Sequence, residues 1–210
     1  MAVCTRLGLS LKSSSPRKNP LEPGILVAGL PFDPLLAATY ARLGHAAFAA
    51  DIGGLVLNRL DDHERTLEER NRQWQATEEH PFSMALFLFG GEAGLAYHYA
   101  TVPQLADAQG RQPVVFVDDY EVPPLALPVA SDVDRFFELY SRYLEELVAH
   151  PAFSRDDPAV LAFPRQLLHL IASDERLVSL IREGRFDPLM PGAEAQAWAH
   201  RVVSAGDARR

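Results

Sequence analysis

The sequence is poor in cysteine and lysine and has no long apolar run. Its single cysteine, Cys4, excludes an intramolecular disulfide, and so little cysteine is typical of proteins from a reducing cytoplasm. No apolar stretch approaches the roughly 18–20 residues that a membrane-spanning helix needs. Residues 1–20 also lack the compact apolar segment and small-residue cleavage site of a secretory signal. We therefore expect a cytoplasmic protein with no membrane contact.

Charge is distributed unevenly along the chain. Residues 1–20 contain Arg6, Lys12, Arg17 and Lys18 and no acidic residue, and Lys12 and Lys18 are the only two lysines in the chain. Because the formal net charge is −8, the residues after this +4 segment must carry −12. Nucleic-acid phosphates need neutralising cations, so such an acidic body argues against nucleic acid as a partner. The acidity either serves solubility alone or speeds encounter with a basic protein.

Composition suggests three segments. Residues 1–23 are expected to form a flexible basic segment, because Ser13-Ser14-Ser15-Pro16 and two further prolines favour loop over helix or strand. Residues 24–150 are expected to form an α+β domain, and residues 151–210 a helical extension. Hydrophobic residues make up 48% of the chain and charged residues 23%, which is the profile of a globular protein with a packed core.

Helices are indicated by capping residues and apolar spacing. Asp33 is placed to cap the start of a first helix, since it precedes a proline and an apolar stripe at helical spacing. A polar helix is expected over residues 67–75. The clearest helix begins at Ser131 and runs to about residue 150. Further helices are expected in the extension, over residues 157–184 with a break at Pro164 and a restart near Ser173, and over residues 193–204.

Short extended runs predict a sheet. Leu55-Val56-Leu57 is typical of a buried strand, and four more strands are expected over residues 84–89, 95–101, 113–117 and 125–130. The first two of these four flank the glycine-rich residues 90–94 and predict an antiparallel hairpin. Pro128 places the last one at a sheet edge. The predicted fold class is α+β, with a mostly antiparallel sheet of about four to six strands packed by helices.

The common catalytic motifs are missing from the sequence. It has no phosphate-binding loop, no dinucleotide fingerprint and no nucleophile elbow, and its seven histidines form no HxH or HxxxH pair. His98 could act as a general base, but no partnered Ser or Cys is evident for it, and we favour a histidine that faces the surface from its strand. We therefore predict no catalytic residue, no cofactor and no metal, and hence no enzyme.

The densest set of possible metal ligands is Asp61-Asp62-His63-Glu64. Consecutive residues on a helix or strand point in different directions, so few of these side chains could face one ion. The simpler interpretation is a solvated loop or the start of a helix. A metal-assisted hydrolase that uses Asp61, Asp62 and His63 stays open as an alternative, and it requires these side chains to converge in a concave pocket.

A second acidic group, Asp118 to Glu121, follows the strand over residues 113–117. Its carboxylates could serve acid–base chemistry, could simply be the polar end of a strand, or could recognise a partner. We favour recognition over catalysis. The predicted partner-binding residues are Asp118, Asp119, Tyr120, Glu121, Asp61 and Asp62.

Three segments between Met84 and Val148 resemble the C-terminal half of the SUKH superfamily: ALFLFGGEAGLAYHYA, QPVVFVDDYE and PVASDVDRFFELYSRYLEEL. In that family a glycine-containing strand turn precedes a Pro-Val-Val-type strand, and a small-residue–Ser start leads into a helix whose apolar face closes the sheet. The N-terminal half matches loosely. Residues 35–43 resemble the family's first helix and Gly53-Gly54 its glycines, but the family's Asn is missing, and residues beyond Ala149 are not covered.

The resemblance implies a protein-binding role. Many bacterial members of that family are immunity proteins that bind and neutralise a cognate toxin, often a nuclease or deaminase, and others are protein-binding scaffolds. The family has no general catalytic motif. Resemblance and acidic charge together predict an immunity protein whose partner is a basic, nuclease-like toxin domain. Alternatively, the apolar residues of the helical extension build a homodimer, and the chain is a structural or scaffold subunit.

Overall fold

A computed structural model describes residues 2–16, 22, 24–59, 66–77 and 81–209. The Asp61-Asp62-His63-Glu64 cluster lies outside the described residues. The helices of the described part are α1 (Ala2–Arg6), α2 (Pro34–Tyr40), α3 (Leu67–Gln75), α4 (Val133–Ala149), α5 (Leu168–Ile171), α6 (Glu175–Arg182) and α7 (Ala193–Asp207). The strands are β1 (Leu11–Ser14), β2 (Leu26–Val27), β3 (Leu30–Pro31), β4 (His45–Phe48), β5 (Leu55–Leu57), β6 (Phe87–Glu92), β7 (Tyr97–Thr101), β8 (Val114–Asp118) and β9 (Leu125–Ala130).

Seven strands form one antiparallel sheet in the order β1-β4-β5-β6-β7-β8-β9, and β2 pairs with β3 in a small separate hairpin. The predicted α+β class with an antiparallel sheet is confirmed, and the sheet has one strand more than the expected upper number. The place of β9 at the sheet edge, predicted from Pro128, is also confirmed. No helix in the described ranges is long and apolar enough to cross a membrane.

The N-terminal segment is more ordered than the sequence predicts. Residues 2–6 form α1, and β1 pairs antiparallel with β4, so that Leu11 lies opposite Phe48. Val3 and Cys4 are buried in the core. The expected loop is therefore wrong for these residues, because the partner that makes β1 a strand lies more than 30 residues away in the chain. The residues around the serine run do not indicate that β4 pairs with this segment.

The start of α2 is confirmed. The Asp33 carboxylate accepts hydrogen bonds from the backbone N–H groups of Leu35 (2.7 Å) and Leu36 (3.0 Å), as expected of an N-cap. The start of α4 differs by one residue from the prediction. Asp132, and not Ser131, caps this helix by accepting from the Arg135 N–H at 2.9 Å.

The β6–β7 hairpin is confirmed as antiparallel, but its turn lies later than predicted. Gly90 and Gly91 belong to β6, and residues 93–96 form the turn. A Cβ on Gly91 would lie 2.5 Å from the Tyr97 carbonyl oxygen, and one on Gly90 would lie 3.0 Å from the Val56 oxygen. These two glycines therefore allow close approach of neighbouring strands rather than a tight turn.

The sheet is covered on both faces. Phe136 and Tyr140 of α4 pack on Tyr99 of β7, with ring centroids 4.9 and 6.1 Å apart. His98 points to the opposite face, since successive strand residues alternate, and its ring lies 5.8 Å from that of Trp74 in α3. Helices α3 and α4 thus enclose β7 between them.

The C-terminal segment packs on the sheet edge. Residues 157–167 are not helical, although helix was expected from residue 157, and α5 and α6 follow as two short helices. Trp198 of α7 is buried and donates its indole N–H to the Pro128 carbonyl of β9 at 3.0 Å. Several other apolar residues of the segment belong to the same core as the sheet: Leu167, Ile171, Leu177, Ile181 and Val202. The three-segment division of the chain stays a prediction.

Candidate partner-binding surface

Two connections lie side by side at one end of the sheet. They are the β6–β7 turn, residues 93–96, and the β8–β9 loop, residues 119–124. The backbone N–H of Asp119 donates to the Ala96 carbonyl at 2.9 Å, which joins the loop to the turn. We call five exposed side chains on these two connections the loop-end surface: Leu95, Asp119, Tyr120, Glu121 and Val122.

The loop-end surface contains most of the large exposed hydrophobic side chains among the residues that the structure describes. In the described residues, four large hydrophobic side chains are exposed: Leu26, Leu95, Tyr120 and Val122. Three of the four belong to this surface, and Val122 is 95% exposed. Scattered exposed hydrophobic residues need no explanation, whereas a group beside an exposed aromatic ring is typical of protein contact sites.

The four predicted loop residues do not share one environment. Asp119, Tyr120 and Glu121 are exposed, whereas Asp118 is 4% exposed. One oxygen of the Asp118 carboxylate accepts from Arg165 Nη2 at 2.8 Å, and the other accepts from the Tyr120 N–H at 3.1 Å. Asp118 is therefore an internal support of the loop, with little area left to touch a partner.

The Tyr120 side chain is held in place while it remains exposed. Its ring stands edge-on to Tyr97 with centroids 5.3 Å apart, and Tyr97 in turn packs on Phe116 at 5.2 Å. A rigid, half-exposed aromatic side chain loses little conformational entropy when it is buried by a partner. Tyr120 thus has the properties of an interface anchor.

Sequence reasoning found Asp119, Tyr120 and Glu121 but missed two apolar members of the surface. The sequence predicts a strand at Leu95, but this residue lies in the turn and is 44% exposed. Val122 precedes Pro123-Pro124, and an apolar residue inside a proline-rich, acidic loop was the signal that could have identified it. The contribution of these residues to binding stays a prediction.

His98 is buried, so its predicted surface position is wrong. It is 8% exposed because α3 covers its face of the sheet. Arg70 Nη2 lies 3.3 Å from Nδ1, and an Asp119 carboxylate oxygen lies 3.9 Å from Nε2. Burial, with a smaller contribution from the Arg70 charge, lowers the pKa of His98 to about 4. His98 is thus neutral at neutral pH and connects α3 to the acidic loop.

An open pocket of about 360 Å³ borders His98, with Arg70, Gln73, Trp74, Thr77 and Leu88 as its other lining residues. The only hydroxyl among these residues, that of Thr77, donates to the Gln73 carbonyl at 3.2 Å. No nucleophile in this lining is therefore paired with His98, as nucleophilic catalysis would require.

A second cavity, of about 330 Å³, lies between α2 and α4 and has a mainly apolar lining that includes Cys4, Phe48 and Phe137. Of the three hydroxyls in its lining, two are turned to their own helices: Thr39 donates to the Leu35 carbonyl (2.9 Å) and Ser141 to the Phe137 carbonyl (2.7 Å). The third is the phenol of the buried Tyr140. The charged residues of the lining, Arg42 and Asp134, are both exposed, so the enclosed part of the cavity is mainly apolar.

Glu92 is a largely buried carboxylate at the end of β6. Burial raises its pKa, and the Tyr99 hydroxyl donates to it at 2.9 Å, which partly offsets the effect. Burial also raises the pKa of Tyr99 and of Tyr143, so both phenols remain protonated near neutral pH. This arrangement satisfies a buried acid and ties β6 to β7.

Metal binding finds no support in the part of the chain that the structure describes. There, no group of three or more His, Cys, Asp or Glu side chains is placed to hold an ion. Asp61, Asp62 and His63 lie outside the described residues, so the hydrolase alternative is not tested. Comparison with known proteins gives no further assignment: no family model, no curated protein and no solved structure matches this chain.

Proposed function

We propose that this chain is a protein-binding module and that the loop-end surface contacts its partner. The observation that carries the proposal is the grouping of Leu95, Tyr120 and Val122 on two connections joined by a backbone hydrogen bond. Interfaces typically have a few aromatic or apolar anchors surrounded by polar residues, and Asp119 and Glu121 supply that rim.

The charge of the surface defines the partner. Asp119 and Glu121 are exposed acids, and the whole chain has a formal net charge of −8. A basic surface is the complement of such a patch, and opposite charge speeds the encounter of two proteins. With the resemblance to the SUKH superfamily, this supports a cytoplasmic immunity protein that neutralises a basic, nuclease-like toxin domain.

The apolar part of the surface is tested by substitution. We expect Tyr120→Ser/Val122→Ser to weaken capture of the partner on the tagged chain at least about tenfold, because it removes the anchor and its neighbour. The matched control is Leu26→Ser, since Leu26 is 66% exposed but lies on the separate β2–β3 hairpin. A partner retained equally by all three proteins, or retained by none, contradicts the proposal.

The immunity function has its own readout. If the captured protein is toxic when expressed alone, co-expression of the unaltered chain should restore growth and the Tyr120→Ser/Val122→Ser variant should not. A captured protein that is harmless to cells rejects the immunity function and leaves a binding module.

The acidic part is tested by charge reversal. Asp119→Lys/Glu121→Lys should slow association with the captured partner at low salt and reduce the dependence of the rate on salt. Asp156→Lys/Asp157→Lys makes the same change in net charge at two other exposed acids and should have a much smaller effect. Equal effects of the two pairs would assign the attraction to total charge instead of this surface.

A further inference from the structure

Arg165 links the C-terminal segment to the base of the loop-end surface. Its guanidinium donates to Asp118 Oδ2 at 2.8 Å and also forms an ion pair with Glu194 in the first turn of α7. The Asp118 side chain is only 5% exposed, whereas that of Arg165 is 36% exposed. One partner of the Asp118–Arg165 pair is thus buried, where a charge needs a fixed counter-charge.

The β8–β9 loop depends on this pair for its shape. The Asp118 Oδ1 atom accepts the Tyr120 N–H at 3.1 Å, which closes a tight turn just before the exposed residues. Because Arg165 holds the other oxygen, the carboxylate cannot rotate away from the Tyr120 N–H. Asp118 therefore transmits the position of Arg165 to the backbone of Tyr120.

Arg165 is itself placed by a buried neighbour. Phe163, two residues before it, is 5% exposed and lies among the rings of Tyr140 (5.4 Å) and Tyr143 (5.5 Å). Leu167, two residues after it, is 1% exposed. The non-helical segment between α4 and α5 is thus anchored on both sides of Arg165.

We propose that Arg165 is a positioning residue for the loop-end surface, and that the segment after residue 150 serves to preset the β8–β9 loop for its partner. The inference rests on the proposed function, since it explains how that surface is kept ready for binding. A loop that is ordered before binding does not lose conformational entropy when the complex forms, so a fixed Tyr120 favours affinity.

The test starts with the free chain and needs no partner. In Arg165→Gln we expect the backbone amide of Tyr120 to exchange its hydrogen at least about tenfold faster than in the unaltered chain, which corresponds to ~1.4 kcal/mol. Glu194→Gln is the matched control, because it removes the other ion pair of Arg165 and leaves Asp118 bound. Its Tyr120 exchange should equal that of the unaltered chain.

Two more variants keep the result interpretable. Arg165→Lys retains a cation near Asp118 and should restore part of the protection. Asp118→Asn/Arg165→Gln leaves no buried charge without its counter-charge, so it separates loss of the link from general unfolding. We expect fast Tyr120 exchange in this double variant while amides in the sheet core keep their protection. Unchanged Tyr120 exchange in both Arg165→Gln and the double variant would overturn the proposal.

Binding then separates this inference from the proposed function. Arg165→Gln should weaken capture of the partner about tenfold, and Glu194→Gln should not. If Tyr120→Ser/Val122→Ser abolishes capture and Arg165→Gln changes neither exchange nor capture, the surface stands and the positioning role fails. If Arg165→Gln speeds exchange and no loop variant changes capture, Arg165 orders the loop and the loop is not the contact site.

Discussion

At the scale of single residues, His98 lies between a cation and an anion. Arg70 is 3.3 Å from one ring nitrogen and the Asp119 carboxylate is 3.9 Å from the other. Because α3 buries the ring, the neutral form is favoured, and the pKa falls from an ordinary 6.5 to about 4. With Nδ1 facing the Arg70 donor, the imidazole hydrogen belongs on Nε2, toward Asp119.

This lowered pKa predicts how stability changes with acid. Above pH 6.5 the ring is neutral in both the folded and the unfolded chain. Between pH 6.5 and about 4 only the unfolded chain takes up the proton, so the free energy of unfolding falls. We expect this ring to account for a loss of about 2 kcal/mol between pH 7.5 and 5.

Urea unfolding of the unaltered chain and of His98→Asn at pH 7.5, 6 and 5 checks this prediction. Because the substitution itself changes stability at every pH, the decisive quantity is how much the free energy of unfolding changes between pH 7.5 and pH 5. The free energy of unfolding that is lost between pH 7.5 and pH 5 should be about 2 kcal/mol smaller in His98→Asn than in the unaltered chain. Parallel profiles for the two proteins would show that His98 titrates normally.

His98 and Asp33 show what can be predicted for a residue. The cap at Asp33 depends on its immediate neighbours, which are visible in the sequence, and it was predicted correctly. The environment of His98 depends on α3, whose Arg70 lies 28 residues earlier in the chain, because this helix covers a strand face that was expected to meet solvent. For the same reason Asp118 could not be recognised as buried, since Arg165 lies 47 residues away.

At the scale of elements, one side chain fixes α3 to the sheet. Asn71 is fully buried, and its amide group accepts the Leu88 N–H at 2.7 Å and donates to the Leu88 carbonyl at 2.9 Å. Leu88 lies beside the irregularity between Leu88 and Gly90, where the β6–β7 register shifts. The Asn71 amide therefore takes the place of a neighbouring strand for this residue.

Replacement of Asn71 by Ala should cost about 1–3 kcal/mol of unfolding free energy, because it leaves the Leu88 N–H buried without a partner. The Leu88 carbonyl is affected less, since the Asn58 side chain also donates to it at 3.1 Å. Gln73→Ala, at an exposed position of the same helix, is the control and should stay within about 0.5 kcal/mol. The measurement is urea unfolding, and equal losses in the two variants would refute the special role of Asn71.

Helices and strands whose apolar residues recur at a regular spacing could be predicted from the sequence, and those without such a spacing could not. Strands β5 to β9 and helices α3 and α4 were expected near their observed positions, because apolar spacing marks each of them. Strand β1 has the sequence Leu-Lys-Ser-Ser and no apolar alternation. The sequence predicts a turn at Gly90 and Gly91, which is wrong, because glycine is typical both of turns and of strands that approach closely.

At the scale of the whole molecule, the C-terminal segment completes the sheet at β9. Trp198 donates to the Pro128 carbonyl, and the Asp174 carboxylate accepts the Ser131 N–H at 2.7 Å while it also caps α6. Leu177 is fully buried. An edge strand that loses such a cover exposes backbone groups and apolar side chains together, which favours aggregation.

A chain that ends at residue 150 should therefore lack a cooperative unfolding transition and should aggregate, whereas a chain that ends at Asp207 should remain a folded protein. In the full-length chain Trp198→Ala should cost about 3–5 kcal/mol, the range for large-to-small changes in a core. Urea unfolding and size-exclusion chromatography measure these outcomes. If the chain of residues 1–150 unfolds cooperatively at the urea midpoint of the full-length protein, the segment after 150 is an appendage, as composition suggested. That result would leave open whether Arg165 positions Asp118 in the full-length chain, so the exchange of the Tyr120 amide, and not the truncation, tests the positioning role.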